Sequence, residues 1–120
     1  METDVPTVAE VVRRAVAICD PEGQDDPTTE LLEAFEDDDR PAPGLGESLW
    51  EELRTTARGL DPEGDSAAVA VAAAVAIFLT TQPRGGDNEA ATIREAARIE
   101  WGEHPPPNVE EWLEEREVAD

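Results

Sequence analysis

Thirteen consecutive residues, Ala67 to Leu79, carry no polar side chain, and seven of them are alanine. Alanine favours helix and disfavours sheet, so the run predicts a helix over about 66–82. As a helix, 13 residues span about 20 Å. A bilayer core needs roughly 20 such residues, so a buried core helix is expected here and a membrane span is not. A helix that is apolar on every side has to be covered on every side. The rest of the chain must therefore supply amphipathic helices to surround it.

The remaining segments carry the punctuation of such helices. Thr7-Val8-Ala9-Glu10 has the form of a capping box, in which hydroxyl and carboxylate each satisfy a free amide at the helix start. It opens a stripe of Val8, Val11, Val12, Ala15, Val16, Ile18 and Cys19, with Arg13 and Arg14 facing solvent. Asp20-Pro21-Glu22-Gly23 ends that helix. Asp26 as N-cap and Pro27 at the first helical position announce a short second helix, with Leu31, Leu32, Ala34 and Phe35 as its apolar face. Its acidic end, Glu36 to Asp39, opposes the helix dipole and is expected to fray. An irregular connector follows over about 40–46.

A third helix is predicted from Glu47 to Arg58, with Leu49, Trp50, Leu53 and Ala57 on one side and a stop at Gly59. Pro83-Arg84-Gly85-Gly86 ends the central helix. A fifth helix starts at Asp87 or Asn88 and reaches Trp101, with Ala90, Ile93, Ala97 and Trp101 along one face. Asn108-Val109-Glu110-Glu111 then resembles a capping box, and a last short helix over about 108–118 carries Val109, Trp112 and Leu113. The expected architecture is all-α: a single domain over residues 1–120, with five or six helices around the Ala/Val-rich one. Asp61-Pro62-Glu63-Gly64 repeats Asp20-Pro21-Glu22-Gly23 at a spacing of 41, but the flanking residues match poorly. The motif is read as the same turn chemistry used twice, with duplication as the weaker alternative.

Charge bounds the function. Asp and Glu supply 30 residues and Arg nine, with no Lys, for a net charge of −21. Self-repulsion of that size destabilises a compact state in dilute buffer. In molar salt the Debye length falls to roughly 3 Å and the repulsion largely disappears. High salt also strengthens apolar burial, which helps a core with two Phe, three Trp, one Met and no Tyr. The composition resembles that of proteins from halophiles that accumulate salt in the cytosol. The acidity is spread along the chain, at −10 over residues 1–43, −4 over 44–83 and −7 over 84–120. A nucleic-acid mimic concentrates its charge on one face, so mimicry is a minor alternative. Direct binding to DNA or RNA lacks a basic stripe to release phosphate counterions. No secretory leader opens the chain, and Cys19 is the only cysteine, which excludes an intrachain disulfide. The expected compartment is the cytoplasm.

The search for chemistry assigns no catalytic, cofactor-binding or metal-binding residue. His104 is the only histidine and stands before Pro105, Pro106 and Pro107. A zinc site needs thiolate or imidazole partners that the sequence does not hold. A ferritin-like di-iron site needs Glu three residues before His, where Trp101 stands. Ser48 and Ser66 read as helix-start residues. Cys19 and His104 read as a buried thiol and an exposed linker imidazole. Neither acidic turn has the glycine and bidentate glutamate of a calcium loop: Asp25 and Leu31 occupy those places after Asp20, and Ser66 and Ala72 after Asp61. Pro43-Gly44-Leu45-Gly46 and Gly85-Gly86 each precede a helix without a strand before them, and read as chain breaks.

Trp50, Trp101 and Trp112 are costly residues in so aromatic-poor a chain. Tryptophan fills cores and also anchors interfaces. Trp50 and Trp101 are expected in the core. Trp112 sits on a short helix crowded by Glu110, Glu111, Glu114 and Glu115, and the candidate interaction surface is Trp112 and Leu113 with Trp50. The expected function is that of a non-enzymatic, salt-adapted helical protein acting through protein contacts, as a homo-oligomer or as an accessory subunit of an unidentified protein. The alternative is a small-ligand binder or an enzyme using carboxylates such as Glu33, Glu36, Glu95 or Glu100.

Overall fold

A computed structural model describes residues 7–42, 45–63, 66–82 and 88–115. Among them are six helices and no strand: α1 (Val8–Cys19), α2 (Asp26–Ala34), α3 (Glu47–Leu60), α4 (Ala67–Thr81), α5 (Glu89–Trp101) and α6 (Pro107–Glu115). Each of the other five packs against α4. The apolar run is therefore the centre of an all-helical bundle. Every residue of α4 is buried except Ala70 and Thr81. The one polar side chain that α4 buries is satisfied by the backbone: Thr80 Oγ1 donates to the Ile77 carbonyl at 2.6 Å.

Local chemistry explains the helix ends. Thr7 Oγ1 accepts from Glu10 N at 3.2 Å while Glu10 Oε1 accepts from Thr7 N at 3.1 Å, so the capping box closes. The next free amides of α1 find a second source of acceptors. Val8 N donates to the Arg40 carbonyl and Ala9 N to the Asp38 carbonyl, both at 2.9 Å. The acidic segment that follows α2 thus folds back over the start of α1. Asn88 caps α5 by accepting from Ala91 N at 2.8 Å. Gly102, at φ 66°, ends that helix where a side chain would be strained.

Four predicted boundaries move. The second helix ends at Ala34, with Phe35 as its cap, before the Glu36–Asp39 run where the sequence predicts its end. Asp25, and not Asp26, caps α2, because its carboxylate accepts both from Thr28 and from Ser66; Pro27 then falls at the second helical position. The third helix runs through Gly59 to Leu60 and is capped at Asp61, so glycine there is a helical residue and not a stop. The last helix begins at Pro107, whose missing amide costs nothing at a helix start, and Asn108 lies inside it. The predicted break at Pro83–Gly86 and the end of the last helix beyond Glu115 lie outside the described residues.

The two Asp-Pro-Glu-Gly turns share more than their letters. Asp20 caps α1 at φ −142°, ψ 66°, and Asp61 caps α3 at φ −138°, ψ 65°. Each donates its backbone amide four residues back, to the Val16 and Ala57 carbonyls at 2.7 and 3.1 Å. Each lends a carboxylate oxygen to the amide five residues on, Asp25 N at 2.9 Å and Ser66 N at 2.7 Å. Those acceptor-bound residues are the N-caps of α2 and α4, and they meet: Ser66 Oγ donates to Asp25 Oδ2 at 2.7 Å. The helix boundaries on either side keep the spacing of 41. Two helix–turn–helix units, α1–α2 and α3–α4, are joined through their turns.

Candidate functional site

The residues singled out as an interaction surface take three different places. Leu113 is 8% exposed and belongs to the core, where with Val109 it anchors α6. Trp50 is half-buried against the core, and its indole N–H donates to Thr80 Oγ1 at 2.9 Å, tying α3 to α4. Trp112 also packs partly against the core, but its ring borders an open cleft of about 370 Å³. Leu113 lies inside the bundle, so only the aromatic residue beside it lines this cleft.

The cleft is built where the two turns meet the last helix. Asp20, Gln24, Asp25 and Ser66 form one wall, and Asn108, Glu111, Trp112 and Glu115 the other. Its inner wall is already spoken for. Asp20 is buried and accepts from the amides of Gln24 at 3.0 Å and Asp25 at 2.9 Å. Asp25 Oδ2 accepts from Thr28 N at 3.1 Å, from Thr28 Oγ1 and from Ser66 Oγ. These carboxylates brace two helix starts, a structural duty for polar groups held away from water. Glu111 and Glu115 are exposed on the α6 wall.

A second concavity lies between α3 and α5, over α4. It encloses about 210 Å³, with Ala57, Val69, Ala70 and Ala73 as floor, Trp101 as one wall, and Arg54, Arg58, Asp61 and Glu100 at the rim. Arg54 grips Glu100 through a fork: Nε donates to Oε2 at 3.0 Å and Nη2 to Oε1 at 2.9 Å. That pair links α3 to α5 and, with the neighbouring carboxylates, holds the Arg54 guanidinium more firmly protonated than usual. Trp101 is half-buried, packed against the core with part of its ring in the groove. The sequence places Trp101 in the core and gives no sign of the groove, because an opening between three helices has no signal along one of them.

The carboxylates considered for catalysis are dispersed. Glu33 and Glu36 are exposed on and after α2, Glu95 lies 3.8 Å from Arg98 on α5, and Glu100 is held by Arg54. Cys19 is fully buried and His104 exposed. Among the described residues no three His, Cys, Asp or Glu side chains are grouped as a metal ion would need, and no helix is long and apolar enough to cross a membrane. Among the described residues the exposed large hydrophobic is Ile99 of α5, at 63%. No protein-family model matches the chain, nor does any curated protein or solved structure.

Proposed function

We infer that this chain is a non-catalytic helical module, adapted to a salt-rich cytosol, that works through contact with another protein or a second copy of itself. The observation that carries the reading is the setting of Trp112. Val109 and Leu113 root α6 in the core, while the indole between them borders an open cleft. A large, rigid aromatic residue on an anchored helix is the kind of group around which contact energy concentrates. The uniform acidity supports a solvent role for the charge, since a quarter of the residues are carboxylates and every cation is a guanidinium.

The test is recovery of the tagged protein from native lysate in molar potassium chloride, alongside its Trp112→Ala variant. A partner recovered in fixed ratio with the parent and lost with the variant supports the reading. Recovery of parent and variant with the same companions, or alone and monomeric by sedimentation, overturns it.

A further inference from the structure

The geometry points to the α3–α5 groove as a binding site for a small organic acid with an apolar body, an aryl or alkyl carboxylate. The inference stands apart from the Trp112 cleft. It begins from an irregularity in α4. Up to Thr80 that helix is buried at every position but one, Ala70, which is only partly buried and lies at the bottom of the groove. Small residues on both facing helices, Ala57 on α3 and Ala70 and Ala73 on α4, leave room that a larger side chain would have filled. Trp101 stands beside that room as a wall. At about 210 Å³ the space suits a fragment-sized molecule, below the usual range for drug-sized ligands.

The rim decides the charge of the occupant. Glu100 is neutralised by the Arg54 fork. Asp61 lends Oδ2 to the Ser66 amide at 2.7 Å and so belongs to the α4 start. Arg58 is exposed in the last turn of α3 and makes no ion pair among the described residues. Arg13 on the outer face of α1 is exposed in the same way, but Arg58 is the one that stands at the rim of a groove, where its planar guanidinium can pair with a carboxylate. An acid lying with its apolar body on Trp101 and the alanine floor would present its carboxylate to Arg58.

The test is a titration of the full chain followed by amide and indole NMR shifts, in the lowest potassium chloride concentration that keeps it folded. The probes are phenylacetate, phenylacetamide and phenethylamine. Phenylacetate is expected to shift Trp101, Arg58 and Ala70, with a dissociation constant on the order of 1 mM for so small a ligand. Phenylacetamide should bind roughly five-fold more weakly, since it lacks the charge-assisted contact, and phenethylamine no better than the amide. Arg58→Gln should bring the acid down to the amide's affinity, and Ala70→Leu should fill the groove and abolish both. Arg58 is on the surface, so its variant keeps the test valid if Ala70→Leu weakens the fold. Equal binding of the three probes, shifts elsewhere, or an unchanged preference in Arg58→Gln overturns the inference. So does a dimer that Ala70→Leu dissociates, which would make a second copy the occupant.

Discussion

The α1–α2 and α3–α4 units enter their second helices with the same capping pattern and then part company. Asp20 and Asp61 take matching backbone angles, and each supports the capping residue five positions on. Beyond the caps, α2 stops at Ala34 with Ala34 exposed and Leu32 half-buried, whereas α4 continues to Thr81 and is buried almost throughout. At the shared spacing of 41, exposed Ala34 corresponds to fully buried Val75, and Leu31 to Ala72. Turn chemistry therefore sets where a helix starts. The apolar content of the helix itself decides whether it lies at the edge of the bundle or through its middle.

The sharpest break in this comparison is a charge placed at corresponding positions. Val75→Asp should prevent folding, because an unpaired carboxylate in the core costs several kcal/mol, while Ala34→Asp should stay within about 0.5 kcal/mol of the parent. Denaturation followed by circular dichroism in molar potassium chloride would separate the two. Equal effects would mean that α4 is not the enclosed element. Next in size is Leu31→Ala, the one large side chain that α2 buries completely, expected to cost about 2–5 kcal/mol by the same measurement.

The joint between the units gives a smaller effect with a definite form. Asp25→Ala and Ser66→Ala each remove an N-cap, at about 1–2 kcal/mol, and both remove the bond between the caps. The double variant should therefore lose less than the sum, with a coupling of about 0.5–3 kcal/mol. Strict additivity would show that the two turns do not support one another.

The smallest effect distinguishes the units at their open ends. The Asp38 and Arg40 carbonyls receive the first amides of α1, and the Arg40 guanidinium binds Asp38 and, at 3.1 Å, Glu52. Chiefly through that side-chain bond, Arg40 lowers the Asp38 pKa. A carboxylate whose pKa is lower in the folded state stabilises the fold above its unfolded value, near pH 4, and loses that contribution as the pH falls through the folded value. Both groups are near the surface, so the contribution is expected below about 1 kcal/mol and smaller still in high salt. Arg40→Gln should flatten stability against pH between about pH 4 and pH 2 at low salt, and leave it unchanged in molar potassium chloride.

Most of the helical plan was legible along the chain, because its signals are local. The capping box at Thr7, the caps at Ser66 and Asn88 and the apolar run all act within a few residues, and each appears where the sequence predicts it. The shifts in boundary came where a distant residue intervened. Asp25 outcompeted Asp26 as a cap because Ser66, 41 positions away, also binds it. Leu113 turned inward because Trp112 and Leu113, adjacent on a helix, cannot face the same way, and the bundle took the aliphatic one.

By itself, the sequence determined that the chain is helical, that the 67–79 run must be enclosed, and that its surface is acidic throughout. Those properties follow from propensity, hydropathy and charge, which neighbours along the chain decide. Only the tertiary structure decided which surfaces remain open: the Trp112 cleft at the joint of the two turns, and the α3–α5 groove above Ala70. A cleft is the space left when helices far apart in sequence fail to fill the volume between them. Its size depends on side chains contributed by several elements at once, so no periodicity along a single helix can report it.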